Sequence, residues 1–182
     1  SLGADSPRII DASTAHRVAP GWVYGFPELS QDHAEAVRTA RRITNPGCYP
    51  TGAVALIRPL VEAGLLRVDA PIAVHGLSGY SGGGKALIER WEAKDQGRIG
   101  LPYEAPYALE RVHKHVPEMH RYSGLVEAPQ FVPAVGPFAC GMRVEVPLHA
   151  SLLAPGATGE SVRQLLADRY KGERFLEVAA YT

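Results

Sequence analysis

The stretch NPGCYPT, residues 45–51, separates two segments with different helical character. Before it, residues 30–41 are polar and alanine-rich, which predicts a surface helix. After it, residues 51–64 carry apolar side chains at helical spacing, which predicts a buried helix that Pro59 bends. The residues Asn45, Pro46 and Gly47 break the chain between the two helices. The sequence therefore places Cys48 in a turn directly before a buried helix.

The position of Cys48 favours a nucleophilic role. Backbone N–H groups at the start of a helix have no intrahelical partner, and with the helix dipole they stabilise an anion such as a thiolate. The neighbouring prolines and Gly47 would fix the direction of the sulfur and leave room for a substrate carbonyl. A free cysteine can equally be a small buried hydrophobe, so the residues alone leave both interpretations open. For Cys140, which follows Phe138 and Ala139 ahead of a predicted strand, we expect this structural role.

A thiolate nucleophile needs a proton carrier, and histidine is the usual one near neutral pH. The candidates are His113 and His115. An extended segment would place both side chains on one side, whereas a helical turn would separate them, so the pattern leaves open which of them meets the sulfur. The alternatives are a pair of surface histidines or a weak metal site completed by Glu118 and His120.

The glycine-rich stretch SGYSGGGK, residues 78–85, follows a predicted strand over residues 69–77 and precedes a predicted helix over residues 86–94. From Gly79 to Lys85 the spacing matches the phosphate-binding pattern GxxxxGK. Triphosphate hydrolysis is rejected because Ala86 lacks the hydroxyl that would hold magnesium and no later apolar run ends in the expected aspartate. The turn still predicts backbone N–H groups that meet an anion or a flat cofactor ring, with a flexible turn as the alternative.

The remaining pattern predicts an α+β fold with a sizeable sheet. The apolar run at residues 7–13 predicts a buried strand with no visible pairing partner, so we expect it to close a parallel sheet whose earlier strands are missing. A loop or lid is expected where proline and glycine are frequent, at residues 96–106. Further strands are expected at residues 130–133, 141–150 and 174–181, and a capped helix at residues 158–170.

Composition narrows the classes of function. The chain has 182 residues, of which 46% are hydrophobic and 21% charged, so it can bury a core. Nineteen basic residues balance nineteen acidic ones, which argues against nonspecific binding of nucleic acid or of an anionic membrane. We expect a cytoplasmic protein, because no apolar run approaches the roughly 20 residues of a membrane-spanning helix and the first residues do not resemble a signal peptide. Two distant cysteines make neither a disulfide framework nor a zinc pair.

These motifs, in this order, resemble the N-acetyl-γ-glutamyl-phosphate reductases, a family related to the aspartate-semialdehyde dehydrogenases. The resemblance rests on NPGCYPT at residues 45–51, supported by SGYSGGGK at residues 78–85 and HKHVPE at residues 113–118. Residues 10–17 and 24–29 are similar to the loops around the family's active site. The resemblance implies NADP-dependent reduction of N-acetyl-γ-glutamyl phosphate to its semialdehyde in arginine biosynthesis, through a thioester on Cys48.

The resemblance also implies roles for individual residues. Cys48 would be the nucleophile, and a histidine of the pair, His115 ahead of His113, would be the acid and base. The implied substrate-binding residues are Ser13, Arg17, Asn45 and Glu118, and the residues implied at the nicotinamide end of NADP are Ser78, Gly79, Ser81 and Gly82. The implied partners are a small acyl phosphate and further copies of the chain, as a dimer or tetramer formed through the sheet. No metal, nucleic acid or membrane is expected.

Finally, the resemblance implies two parts. Residues 1–47 would be a remnant of the C-terminal part of a Rossmann dinucleotide-binding domain with active-site loops, and residues 48–182 a catalytic, substrate-binding and dimerisation domain with a large mixed sheet and flanking helices. Because no glycine fingerprint of a dinucleotide-binding fold precedes Ile9, we expect a truncated chain without full reductase activity on its own. The alternatives are a cofactor-independent cysteine acyltransferase or hydrolase, a reductase of a carrier-bound acyl phosphate, and a noncatalytic oligomerisation domain.

Overall fold

Two β-sheets and five α-helices form the described part of the chain. The structure, a computed structural model, describes residues 7–93, 103–110 and 112–180. The strands are β1 (Ile9–Asp11), β2 (Val23–Tyr24), β3 (Arg42–Thr44), β4 (Ala73–Gly79), β5 (Ala105–Pro106), β6 (Gln130–Gly136) and β7 (Met142–Glu145). The helices are α1 (Gln31–Thr39), α2 (Cys48–Glu62), α3 (Lys85–Glu92), α4 (Val116–Ser123) and α5 (Gly159–Arg169). Short 3₁₀ helices lie at Pro27–Leu29, Tyr80–Gly83 and Ala150–Leu152.

The smaller sheet has the order β1-β3-β2, and all its pairs are parallel, as predicted for the first strand. In register, Ile10 pairs with Ile43. Two expectations for β1 were wrong. The strand was expected to be buried, but Ile10 is 70% exposed, and it was expected to have no visible pairing partner, but it pairs with β3. That partner, β3, is only three residues long and lies between a helix and the NPG break, too short to give a pattern of its own.

The larger sheet is mixed and has the order β5-β6-β4-β7. Its central strands β4 and β6 are parallel and end together, with Gly79 beside Gly136, whereas β5 and β7 add antiparallel edges. The strand predicted at residues 69–77 starts later, at Ala73, since Pro71 has no N–H for the ladder. It also runs further, so Ser78 and Gly79 belong to the strand and not to a turn.

Helix α2 packs on the inner face of the larger sheet and carries the core. It begins at Cys48, three residues before the predicted start, with Gly47 as its N-cap. Pro59 lies within the helix and cannot bond the carbonyl of Ala55, one turn earlier. The hydroxyl of Tyr170 donates to that carbonyl instead, at 2.7 Å. Buried side chains on α2 and opposite it are Tyr49, Ala53, Ile57, Leu60, Val74, Met119 and Phe131.

The other predicted elements have mixed outcomes. The predicted helices at residues 30–41, 86–94 and 158–170 are confirmed as α1, α3 and α5, although residue 94 lies outside the described residues. Strand β6 is longer than predicted and β7 shorter. Within the predicted loop, residues 105–106 form β5, and residues 96–102 lie outside the described part. The strand expected at residues 174–181 is wrong, since residues 174–180 pair with no described strand.

The α+β class with a mixed sheet and flanking helices is confirmed. Among the helices of the described residues, none has the length and apolar character needed to cross a membrane.

Candidate active site

The candidate nucleophile is the first residue of α2, and its thiol is exposed. This places Cys48 at the end of the helix where free backbone N–H groups and the dipole favour an anion. The turn before it is fixed by backbone bonds, because the amide of Asn45 donates to the carbonyl of Asp11 at 2.7 Å. Cys140 is exposed as well, which corrects the expectation that it is a buried structural residue.

Gly47 is needed for space rather than for backbone conformation. Its φ of −69° and ψ of 146° suit any residue. A Cβ at this position would lie 2.7 Å from His115 Nε2 and 2.8 Å from Arg17 Nη1. The imidazole and the guanidinium therefore pack directly against the residue that precedes Cys48.

Both candidate histidines lie in the same cleft as Cys48. They occupy the turn before α4, where the backbone N–H of His115 donates to His113 Nδ1 at 3.1 Å and the ring centroids are 4.7 Å apart. His115 is only 5% exposed, and its Nδ1 has no hydrogen-bond partner among the described residues. Of the two imidazoles, that of His115 contacts the chain beside Cys48.

The environment keeps both imidazoles neutral at physiological pH. Burial, with added repulsion from His113, Arg17 and Lys114, lowers the pKa of His115 from 6.5 to about 3. Burial and Lys114 also lower the pKa of His113, against a smaller opposing effect of Glu110. A neutral imidazole can accept a proton, but a pKa near 3 makes His115 a weak base unless an anion such as the thiolate of Cys48 forms beside it.

Glu118 lies beneath this arrangement and is 1% exposed. Its Oε1 accepts from Arg17 Nη1 at 2.9 Å, and its Oε2 accepts from the hydroxyl of Tyr24 at 3.0 Å and from the backbone N–H of Gly47 at 2.8 Å. Burial and the nearby carboxylate of Glu118 raise the pKa of Tyr24, which keeps its hydroxyl protonated. Both carboxylate oxygens are thus occupied by protein groups.

The cleft has a volume of about 850 Å³ and lies at the carboxyl ends of β4 and β6. The site residues predicted from the sequence that line it are Arg17, Asn45, Cys48, Ser78, Gly82, His113 and His115. The described lining contains three cationic side chains, Arg17, Arg90 and Lys114, and no aspartate or glutamate. Since the carboxylate of Glu118 neutralises Arg17 from beneath, it is Arg90 and Lys114 that make the cleft favour an anionic ligand.

Four of the predicted binding residues do not line the cleft. Ser13 is exposed, and its hydroxyl donates to Asp11 at 2.6 Å. The amides of Gly79 and Ser81 donate to the carbonyls of residues 141 and 139, so they are not free to meet an anion as the glycine motif suggested. Glu118, the fourth, is the buried carboxylate described above.

Several lining residues were missed by sequence reasoning. Tyr107 lies 5.6 Å from His113 between ring centroids, and burial and the nearby Tyr49 raise the pKa of its hydroxyl. Trp91 is 4% exposed, and its indole N–H has no partner among the described residues. The available signal was the amphipathic pattern of α3, whose only buried residue is Trp91. Other missed lining residues are Pro46, Tyr49, Gly83, Leu87, Arg90, Ala105, Pro106, Lys114 and Val135.

Comparison with known proteins relates this arrangement to a family. The family model described as the dimerisation domain of semialdehyde dehydrogenase matches residues 48–182. The chain belongs to the semialdehyde dehydrogenase dimerisation-domain family. A curated member from Burkholderia cenocepacia, named N-acetyl-gamma-glutamyl-phosphate reductase, is 48% identical over 94% of this chain and 54% of its own length. The resemblance stated from the sequence motifs is thereby confirmed, and the chain spans about half the length of the curated relatives it matches.

Two solved structures agree with the fold. Aspartate semialdehyde dehydrogenase II from Vibrio cholerae superposes with a TM-score of 0.66 at 19% identity, over 87% of this chain and 52% of that one. Aspartate semialdehyde dehydrogenase from Candida albicans, solved with NADP, gives a TM-score of 0.56 at 17% identity, over 87% of this chain and 48% of that one. At these identities the comparison supports the fold alone.

Proposed function

We propose that this chain carries the acyl-transfer centre of an NADP-dependent reductase that converts N-acetyl-γ-glutamyl phosphate to N-acetylglutamate semialdehyde in arginine biosynthesis. The observation that carries the proposal is the exposed thiol of Cys48 at the start of α2, in one cleft with the neutral imidazoles of His113 and His115. The name of the Burkholderia relative supplies the substrate.

The first step is an acyl transfer to sulfur. The thiolate of Cys48 attacks the acyl carbon, a C–S bond forms, and the bond from that carbon to the phosphate oxygen breaks, so phosphate leaves with the electron pair. His115 takes the proton of the thiol, because the thiolate that forms beside it is an anion and raises the pKa of the imidazole above its resting value of about 3; it returns the proton to the sulfur when the aldehyde leaves. The cations Arg17 and Lys114 would stabilise the negative charge of the phosphate.

The wall formed by Ser78 and Gly82 fits the nicotinamide end of NADP. A Cβ added at Gly82 would meet only the hydroxyl of Ser78, at 3.7 Å, so this wall is open enough for a flat ring. When bound, the cofactor supplies the hydride that reduces the acyl group. Of the residues first assigned to this contact, Gly79 and Ser81 would act only by shaping the backbone, since their amides are bonded within the protein.

The charges of the cleft favour a substrate with a blocked amine. An unacetylated γ-glutamyl phosphate carries a cationic amine, which would need a carboxylate partner, and the described lining provides none. The acetyl group removes that cation and leaves two anionic groups, a carboxylate and a phosphate. We therefore expect N-acetylation to decide which acyl phosphate reacts.

The remaining parts of the proposal concern organisation. We assign residues 1–47 to a dinucleotide-binding domain and its active-site loops, supported by the parallel order β1-β3-β2, and residues 48–182 to the catalytic and dimerisation domain. A homo-oligomer would form through the outer face of the larger sheet, where Leu77 and Val132 are half-buried beside exposed His75 and Arg143. A reducing, cytoplasmic location suits the two free thiols.

The test measures phosphate release from N-acetylglutamyl phosphate by the chain without nicotinamide. We expect a burst of at most about one equivalent per chain, as in single covalent trapping, and none from Cys48→Ser. The unacetylated acyl phosphate loses phosphate by cyclising on its own amine, so its reaction is followed as covalent labelling of Cys48; it should be at least roughly 10-fold slower, because one misplaced charge costs at least about 1.4 kcal/mol. Continuous release without cofactor would instead indicate a hydrolase, and absence of a burst would contradict the proposal.

A further inference from the structure

The carboxylate of Glu118, on helix α4, links three other parts of the chain that meet at the nucleophile. Helix α4 supplies Glu118 itself, the segment after β1 supplies Arg17, and β2 supplies Tyr24. The third donor is the backbone N–H of Gly47, the residue before Cys48. All four residues are buried, so water does not compete for these hydrogen bonds.

The arrangement leaves Glu118 no free oxygen for a ligand, and it does not line the cleft. Its neighbours do line it, because Arg17 and Cys48 both belong to the cleft wall. A shift of the carboxylate would therefore move the cation and the start of α2 together, and would disturb the close packing of Gly47 against His115.

We propose that Glu118 is a positioning residue. It holds Gly47, and through it Cys48, in a fixed position relative to Arg17 and His115. This inference rests on the proposed role of Cys48 as nucleophile and replaces the substrate contact first expected of Glu118. It assigns Tyr24 a supporting role, since its hydroxyl fixes the same carboxylate oxygen that holds Gly47.

Glu118→Asp gives the sharpest test, because it keeps the charge and withdraws the carboxylate by about 1.5 Å, the length of one C–C bond. The probe is p-nitrophenyl acetate, a neutral activated ester that acylates a thiolate and releases nitrophenolate. It lacks the carboxylate and phosphate of an acyl phosphate, so a residue that only binds substrate leaves its reaction unchanged. We expect acylation of Cys48 about 100-fold slower, the cost of a displacement near 1 Å.

Two controls separate positioning from general damage. Glu62→Asp shortens another glutamate of an ion pair, at the far end of α2, and should acylate like the wild type. Alkylation of exposed Cys140 and the thermal midpoint of each variant report whether the fold is retained. If Glu118→Asp does not fold, the Tyr24→Phe variant tests the inference instead. We expect its Cys48 to be acylated about fivefold more slowly than in the wild type, because one hydrogen bond to the carboxylate is lost.

The inference would be overturned if a folded Glu118→Asp variant were acylated at Cys48 at a rate within twofold of the wild type. If that variant does not fold, an unchanged acylation rate in Tyr24→Phe would overturn it. A defect seen with N-acetylglutamyl phosphate but not with the ester would assign Glu118 to substrate binding and overturn it too. Failure of the wild type to react with the acyl phosphate, while the ester still acylates Cys48, would reject the proposed function alone.

Discussion

Replacement of Gly47 by alanine tests whether His115 and Arg17 must pack against the residue before Cys48. Ordinary contact begins near 3.4 Å, so the new methyl would be about 0.7 Å too close to His115 Nε2 and about 0.6 Å too close to Arg17 Nη1. Neither side chain can swing freely, since they are 5% and 8% exposed. The backbone of Gly47 already suits alanine, so the effect is steric alone.

We expect Gly47→Ala to slow acylation of Cys48 about 100-fold, the typical cost of a misplacement of this size. Overpacking should also lower the free energy of unfolding by about 1 to 3 kcal/mol. The assays are a stopped-flow burst with N-acetylglutamyl phosphate and urea unfolding at pH 7.

A control for stability is Gly64→Ala. Gly64 has a φ of +69° and nothing within 4 Å of an added Cβ, so alanine there costs about 1 to 2 kcal/mol of strain without approaching the cleft. Cys48 of the Gly64→Ala variant should be acylated at the wild-type rate. A Gly47→Ala variant that also acylates at that rate would refute the reasoning, because His115 and Arg17 would then have no need of their observed positions.

Three further outcomes follow from the structure. Tyr170→Phe should lower the free energy of unfolding by about 0.5 to 1.5 kcal/mol in urea titrations, since the partly buried carbonyl of Ala55 loses its donor; an unchanged value would mean that water replaces it. The pKa of His115 falls from 6.5 to about 3 on folding, so the unfolded chain binds the proton first and stability declines as pH falls through that window. Between pH 7 and pH 5 the free energy of unfolding of His115→Gln should therefore fall by about 2 kcal/mol less than that of the wild type. An equal fall in both proteins would contradict the burial of a neutral imidazole. Brief alkylation followed by peptide mass mapping should label Cys48 before Cys140, although both are exposed, because only Cys48 lies at a helix N-terminus; equal rates would remove that explanation.

Local patterns predicted much of the fold. The apolar spacing after residue 51 indicated α2, and Thr158 indicated the capped start of α5. Very short strands were missed, since two or three residues, as in β3 and β5, hold no periodicity. The opposite error occurred at residues 174–181, where a strand was predicted and none formed. An apolar pattern becomes part of a sheet only where a neighbouring strand can pair with it.

The candidate site was predicted where its signal is local. The break before Cys48 marked the helix start, and the His-x-His pair marked the two candidate proton carriers, His113 and His115, which both lie in the cleft. The role of Glu118 depends on a partner 101 residues away, Arg17, which no spacing within the sequence indicates. The same holds for Gly47, whose missing side chain makes room for His115 and Arg17 rather than for substrate.

We propose above all that the sulfur of Cys48 forms a thioester with the acyl group of N-acetylglutamyl phosphate. The most direct measurement is mass spectrometry of the chain after brief reaction with this acyl phosphate and acid quenching, followed by peptide mapping. We expect one N-acetylglutamyl group on the peptide that contains Cys48, labile to hydroxylamine as a thioester is, and none in Cys48→Ser. An unmodified Cys48, or acylation of Cys140 or of a lysine instead, would contradict it.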